Sequence, residues 1–577
     1  MIKLFTLKLL FICCCVVITV SVSAQQYPKY VVVFKNKNNS PYHLHKPRQY
    51  LSLKAIQRRL QYNIAIDSSD LPVNPSYISQ VLAQGSVTYL SQSKWLNQIL
   101  IYTTSTTAVN AIKLLSFVQS VNPVGPASTT GKPVVDKFKE KLEPLNAAAQ
   151  KFENVKANHY LYGSSYNQIH IHNGEFLHNK GFTGKGITIA IIDAGFYQYK
   201  TTAAFDSTRA HNRFLGEKDF VDFDNSVNED YDHGELCLST IASNVPGVMV
   251  GTAPDANFWL LRSENANSEF PVEEHNWAVA AEFADSAGAD MISSSLGYMQ
   301  FDDSQFNHTY NDFYRNSTMV SRAATFAAKK GILVTNSAGN EGGSSWKYII
   351  FPADDDSVCA VAATNVSGNI AGFSSYGYPG KIKPNISSVG SGTVLYSSSG
   401  LTSGSGTSFS NPNINGLIAC LWQAFPEFNN MTILNAVYKS SDRDTAPTNR
   451  YGYGIPNMKK AYNILLRKRN QNLYGNEWLI TNAADFTNEI SFKLIGRIDG
   501  KATVNLLDEN KKIVATIAVQ TETDEVYDEA ISDLSNLAVG KYLLQYKDDT
   551  NTKTMSLNKL FTASTKSNTP VIISAEY

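Results

Sequence analysis

Apolar residues recur along this chain in two periods that switch at a few sharp boundaries. Ile187-Thr188-Ile189-Ala190-Ile191-Ile192 is a nearly unbroken β-branched run, which predicts a strand covered on both faces within a parallel sheet. Met291-Ile292-Ser293 and Gly331-Ile332-Leu333-Val334-Thr335-Asn336 predict two more strands, each running into small residues. Helical spacing takes over at Leu236, Leu238, Ile241 and Ala242, and again at Ile414, Leu417, Ile418 and Leu421. Strands alternating with helices in this way predict an α/β unit, a mostly parallel sheet with helices on both faces.

The flanks have other patterns. Lys3 and Lys8 precede an apolar run from Leu9 to Val22, and Val22-Ser23-Ala24 supplies the small residues of a cleavage site. This predicts a secretory signal peptide over residues 1–24, too short to span a bilayer. A lipoprotein anchor is the alternative, but Cys13, Cys14 and Cys15 lie before the apolar stretch ends. Tyr30–Phe34 and Ile99–Tyr102 read as strands, Arg48–Leu60 as a basic amphipathic helix and Ala108–Phe117 as a second helix. Together they predict a small α+β unit. Arg58 and Arg59 read as a solvated face rather than a nucleic-acid site. Residues 125–156, rich in Lys, Ala and Pro, have weak periodicity and read as a linker open to proteolysis. Beyond Leu466, short runs at 490–494, 503–507, 513–519, 525–531 and 542–546 predict a β-sandwich. The expected organisation is therefore a leader (1–24), an α+β unit with its linker (25–155), the α/β unit (156–468) and the β-sandwich (478–577).

Composition narrows the function classes. At 577 residues the chain is long for one domain, and its 50 basic and 50 acidic side chains cancel, which argues against a nucleic-acid partner. Three of the 6 cysteines lie in the leader, and Cys237, Cys359 and Cys420 are scattered through apolar sequence, so buried free thiols are expected rather than a disulfide framework. No His-Glu-x-x-His, Gly-x-x-x-x-Gly-Lys or Gly-x-Ser-x-Gly motif occurs. An acidic cluster of Asp222, Asp224, Asn225, Asn228, Glu229, Asp230 and Asp232 is read as a solvated loop, with calcium as its candidate ligand.

Candidate chemistry gathers at four turns. Gly404-Ser405-Gly406-Thr407-Ser408 leads directly into the helical pattern at Ile414. A hydroxyl there meets the positive end of the helix dipole and unpaired backbone N–H groups, which can stabilise an oxyanion. Helix capping by Ser408 is the alternative. Asp193-Ala194-Gly195 ends the first buried strand, His233 precedes an apolar helix, and Ser337-Ala338-Gly339-Asn340-Glu341-Gly342 follows another strand. An Asn there can aim its amide at a reacting carbonyl. Cys237 falls one helical turn after His233 and reads as a core thiol rather than a nucleophile.

These four blocks, in the order Asp, His, Ser, resemble the signature blocks of subtilisin-like serine proteases. Gly251-Thr252-Ala253-Pro254, Phe373-Ser374-Ser375-Tyr376-Gly377 and Tyr453-Gly454-Ile455-Pro456-Asn457 resemble further turns of that family, over residues 160–465. The resemblance implies a triad of Asp193, His233 and Ser408. It implies an oxyanion hole from Asn340 and the Ser408 N–H, and a substrate-binding edge at Ser295, Leu296 and Gly297. It also implies that residues 25–155 are a propeptide acting as intramolecular inhibitor, that no cofactor is required, and that calcium is a candidate ligand. Departures are Glu235 after His233-Gly234, Ser388-Val389-Gly390 before the nucleophile block, and Asn411, Asn413 and Asn415 in the following helix. Leu537–Tyr542 resembles the late strand of C-terminal domains sorted by type IX secretion, making that machinery a candidate partner, although the usual Pro-rich opening is missing. The expectation is a secreted or cell-surface, self-processing serine endopeptidase acting on proteins or peptides. The alternative is a secreted binding or adhesion protein on an inactive protease scaffold.

Overall fold

The computed structural model describes residues 27–127, 137–138, 140–145, 158–481 and 483–561. The leader, most of the expected linker and the last sixteen residues fall outside this set.

The centre is a seven-stranded parallel sheet in the order Ile386–Val389, Val358–Thr364, Leu333–Ser337, Met291–Ser294, Thr188–Asp193, Asn257–Arg262, Phe214–Asp219. Both faces are covered, so strand residues alternate between two cores. Ile189 and Ile191 join the layer of helices His233–Ala242 and Thr407–Ala424, whereas Ala190 and Ile192 join that of helices Val272–Ala287 and Met319–Lys329. Because all seven strands run one way, their carboxyl ends open on a single edge, where such sheets carry their sites.

The N-terminal unit is a four-stranded antiparallel sheet in the order Thr88–Ser93, Gln98–Tyr102, Lys29–Phe34, Val118–Gly125. The helix expected from Arg48 begins at Leu53, where Ser52 caps it by accepting from Ala55 N, with Pro47 opening a separate short turn. The second expected helix ends at Lys113, because Val118 starts the strand that pairs with Lys29–Phe34.

Arg58 and Arg59 overturn the expectation of a solvated face. They are 4% and 1% exposed, and they reach across to the α/β unit. Arg58 Nη2 is 2.5 Å from Asp285 Oδ1, while Arg59 Nη2 is 2.8 Å from Asp285 Oδ2 and 2.7 Å from Asp70 Oδ1. Beside them Glu282 accepts from the backbone N–H groups of Lys94 and Trp95 and from the Ser93 hydroxyl. His275 meets Ser91 and Gln98 at 2.9 Å each. The unit is docked by buried polar groups matched to partners, with Trp95 and Leu96 entering the core below.

The C-terminal residues form two sheets, Leu479–Thr481 with Ile490–Ile495 and Val526–Ile531, and a five-stranded one in the order Asp485–Phe486, Thr552–Lys559, Gly540–Lys547, Gly500–Leu507, Ile513–Thr521. They close over a core that includes Leu494, Val504, Leu506, Leu544 and Tyr546, as a β-sandwich requires. Lys180 to Glu525 at 2.8 Å and Arg467 to Asp524 at 2.8 Å tie it to the α/β unit.

Asp285 supplies the charge that two buried guanidinium groups need. Asp285→Ala in a full-length Ser408→Ala chain should weaken docking of the N-terminal unit by about 3–5 kcal/mol. The check is the urea concentration at which residues 29–125 become open to an added protease. An unchanged midpoint would contradict this account of the interface.

Candidate active site

Asp193 closes the strand Thr188–Asp193 and is fully buried. Its Oδ1 accepts from Ala194 N at 2.8 Å and lies 2.7 Å from His233 Nδ1. His233 opens the helix His233–Ala242 and is 2% exposed. The approach depends on Gly195, whose φ of +146° and closeness leave no room for a side chain. A Cβ there would lie 2.5 Å from Asp230 Cβ and 2.6 Å from Tyr231 N. Burial opposes a charge on His233, but the Asp193 carboxylate outweighs it and holds the imidazole pKa well above the ordinary 6.5.

Ser408 is the second residue of the helix Thr407–Ala424. Four residues on, Pro412 has no N–H to give to the Ser408 carbonyl. That carbonyl is satisfied from the side instead, by Ser295 Oγ at 2.8 Å and Cys237 Sγ at 3.3 Å. Cys237 is thus a hydrogen-bond donor under the serine, and burial pushes its thiol up to about 11, which leaves it protonated and un-nucleophilic at neutral pH. All three of Cys237, Cys359 and Cys420 are buried and free.

Asn340 follows the strand Leu333–Ser337. Its Oδ1 accepts from Thr407 N at 2.9 Å and Thr407 Oγ1 at 3.0 Å, which turns Nδ2 toward the cleft. Ser295, Leu296 and Gly297 line a cavity of about 540 Å³ that also touches Asn340, Thr407 and Ser408. The departures from the family pattern have partners. Asn411 donates to Ser294 O, Asn413 to Gln168 O and Ser388 Oγ, and Asn415 to Thr335 Oγ1. Thr202 donates to buried Glu235 at 2.5 Å. Asn411, Asn413 and Asn415 thereby fasten the helix Thr407–Ala424 to strand residues Ser294, Ser388 and Thr335 and to Gln168.

Sequence reasoning missed what fills this cleft. Residues 137, 138 and 140–145, read above as linker, cross the site in extended form. Leu142–Pro144 pairs antiparallel with Gly400–Gly404, the strand leading to Ser408. Glu140 Oε1 accepts from Ser408 Oγ at 2.8 Å and from Asn340 Nδ2 at 3.2 Å, and lies 3.9 Å from His233 Nε2. Gly406 makes room for it, since a Cβ there would sit 2.7 Å from Glu140 Cγ. Burial disfavours the Glu140 charge, yet His233 and the Ser408 hydroxyl hold its pKa below the usual carboxylate range. Phe138 packs on His233 with ring centroids 4.5 Å apart. The only available signal was negative: a segment whose shape is set by the cleft it lies in has no periodicity of its own.

In the acidic loop before His233, Asp222, Asp224, Asn225 and Glu229 are exposed, as expected of a solvated loop, and an arginine meets part of the cluster. Arg262 Nη1 lies 2.6 Å from Asp219 and Asp222 and 3.0 Å from Asp230. A fixed guanidinium holds the position a calcium ion would take among these carboxylates, so the residues do not fit calcium there.

The chain is similar to known proteins over both its N-terminal and its α/β units. Residues 184–454 match the family model "Subtilase family", and residues 29–138 match "Peptidase S8 propeptide domain, Bacteroidota". Subtilisin BL of Lederbergia lenta is 29% identical over 289 residues, 49% of this chain and 93% of that one. Subtilisin DY of Bacillus licheniformis is 27% identical over 285 residues, again 49% of this chain and 93% of that one. Fervidolysin from Fervidobacterium pennivorans, described as a keratinolytic enzyme related to subtilisin, shares the fold with a TM-score of 0.54 at 16% identity, covering 90% of this chain and 71% of that one. The α/β unit built around this cleft belongs to the subtilase family of serine-type endopeptidases, and a Peptidase S8 propeptide domain precedes it in the same chain.

Proposed function

We propose that this chain is a secreted serine endopeptidase made as a preproprotein that processes itself, with Ser408 as nucleophile, His233 as general base and acid, and Asp193 orienting the imidazole. Asn340 and the Ser408 backbone N–H are the proposed oxyanion donors. One observation carries the reading. A single oxygen, Glu140 Oε1, is in reach of the Ser408 hydroxyl, the Asn340 amide and, slightly farther, His233 Nε2. That point lies among the groups that would have to act together on a scissile peptide bond, Asn340 on its carbonyl oxygen, Ser408 on its carbonyl carbon and His233 on the Ser408 proton.

The chemistry follows from these positions. With Glu140 gone, His233 takes the Ser408 proton as Oγ adds to the carbonyl carbon, and the charge that develops on the oxygen falls to Asn340 and the N–H at the helix start. His233 then gives its proton to the departing amine, leaving an acyl-serine. Water, deprotonated by the same imidazole, releases the carboxylic acid and restores Ser408. Asp193 stabilises the imidazolium in both halves.

The same geometry supports latency in the uncut chain. Ser408 spends its proton on Glu140, and the Glu140 side chain stands between Ser408, Asn340 and His233 where a substrate would have to enter. Removal of residues 25–155 releases this block. We further propose export by the leader and recognition of the C-terminal β-sandwich by type IX secretion machinery, supported by the exposed turn at Val539 before the strand Gly540–Lys547.

Purified Ser408→Ala should keep its propeptide and hydrolyse no peptide, and Asn340→Ala should lose about 10²–10³-fold in kcat. Processing and hydrolysis by folded Ser408→Ala would overturn the triad, whereas a folded wild type that neither processes itself nor hydrolyses peptide would favour an inactive binding scaffold. The acid limb of kcat/KM in the mature wild type should have its midpoint above 6.5, and a midpoint below 6 in a pH–rate profile would contradict the Asp193–His233 pairing.

Full-length Glu140→Ala loses a charge-assisted contact of about 1.5–3 kcal/mol. Its lag before peptide hydrolysis should shorten by roughly ten- to a hundredfold, while Glu143→Ala, whose side chain is exposed, should match wild type. A depressed carboxylate pKa stabilises the closed form above the ordinary value of 4.5 and loses its effect as pH falls through the folded value. The difference in lag should therefore persist across neutral pH and shrink only below that value. Equal lags at neutral pH would remove Glu140 from the latch.

A further inference from the structure

Upstream of Glu140 the same segment carries Lys137, and its ammonium is set among three carboxylates of the α/β unit. It contacts Glu264, lies 2.9 Å from Glu269 Oε2 and lies 3.1 Å from Glu273 Oε1. All three acids are 1–3% exposed, and they are within one cation's reach of each other. Two of them are fixed from behind. Tyr298 Oη donates to Glu264 at 2.8 Å, and the backbone N–H groups of Asn265 and Phe270 donate to Glu273 at 3.0 Å each. Glu269 keeps one oxygen, Oε1, buried with no partner.

The position of this pocket relative to the chemistry is set by chain direction. Leu142–Pro144 pairs with the strand that runs into Ser408, and Glu140 stands at the reacting centre. Lys137 therefore lies on the acyl side, three residues before Glu140. The cavity that touches Ser408 and Asn340 continues to Lys137, Glu264 and Glu269. When the propeptide leaves, its ammonium leaves with it. Lys29, whose charge also bears on Glu273, is on the departing unit too.

We infer that Glu264, Glu269 and Glu273 form a substrate subsite for a lysine or arginine side chain on the acyl side of the scissile bond, and that Lys137 fills it in the uncut chain. The inference rests on the peptidase reading and adds the class of substrate. Three buried carboxylates with no cation are held apart only at high electrostatic cost. Burial and mutual repulsion accordingly lift Glu269 to about 8 and Glu273 well above the usual range, even though Lys137 pulls the other way. A neutral side chain in the pocket would leave those groups unpaired. A cation on a long flexible stem relieves them, as Lys137 does.

The test uses mature wild-type enzyme in buffer with a chelator, so that no divalent ion competes for the carboxylates. Fluorogenic peptides of one core sequence carry a single lysine or its neutral isostere norleucine at the second, third or fourth residue before the cleaved bond. At one of these positions the lysine peptide should have a kcat/KM at least about tenfold higher, the size expected when an unpaired buried polar group is the alternative. The lysine-to-norleucine ratio at that position should fall toward one in Glu269→Gln. A ratio near one at every position in wild type, with the peptides still cleaved, would overturn the subsite, as would a preference that survives intact in Glu269→Gln. If Glu269→Gln does not fold, the wild-type ratios alone decide. Failure of the peptidase reading would look different, because no peptide would be cleaved at all.

Discussion

A parallel sheet buried on both faces leaves polar chemistry one place to go, the edge where its strands end. Every group in the proposed mechanism depends on that constraint. Asp193 stands at the end of Thr188–Asp193, Ser295 just past Met291–Ser294, and Asn340 just past Leu333–Ser337. Between the strand ends the helix Thr407–Ala424 starts, bringing its unpaired N–H groups and Ser408 to the same edge. Pro412 then makes the carbonyl of Ser408 available to Ser295 and Cys237, so the nucleophile is held from the sheet and from the histidine helix together. The groups of the proposed mechanism are close because the carboxyl ends of all seven strands open on one edge.

Charge burial governs how the N-terminal unit sits on this scaffold. Its cations meet acids of the α/β unit, with Arg58, Arg59 and Lys94 at Asp285, Lys54 at Asp290, and Lys137 at Glu264, Glu269 and Glu273. At the reacting centre the polarity reverses, and Glu140 brings the anion to His233, Asn340 and Ser408. Apolar contacts share the interface, with Tyr27, Val31, Leu100 and Val124 packed with Phe270 and Val272. The paired buried charges add partners that fit in one register, and under the proposed processing each pair would leave an acid of the α/β unit without its cation.

What could be read in the sequence was what local sequence decides. Asp193, His233, Asn340 and Ser408 lie in short blocks whose small residues and flanking apolar runs reveal a strand end or helix start, and the structure brings all four to one cleft. Ser295, Leu296 and Gly297, named through the family resemblance, line the same cavity. Long-range pairing was not. Arg58-Arg59 looks like any solvated basic face until Asp285, 226 residues away from Arg59, closes on it. Residues 137, 138 and 140–145 carry no helical or strand period of their own because the cleft supplies their conformation, so they read as linker. The last strand, Thr552–Lys559, alternates polar residues with few apolar ones and was missed, since its place is fixed by pairing with Gly540–Lys547. Glu264, Glu269 and Glu273 lie in a turn and a helix start whose spacing says nothing of their convergence.

The central claim is that Ser408 is an activated nucleophile covered by the chain segment that carries Phe138 and Glu140. Labelling with a fluorophosphonate, followed by peptide mapping and determination of the N-terminus of each labelled species, tests it most directly. The account predicts label on Ser408 alone, and only in molecules that have lost residues 137–145. Processed, folded enzyme without label would contradict the nucleophile, and rapid labelling of chains that still carry the segment would contradict the cover.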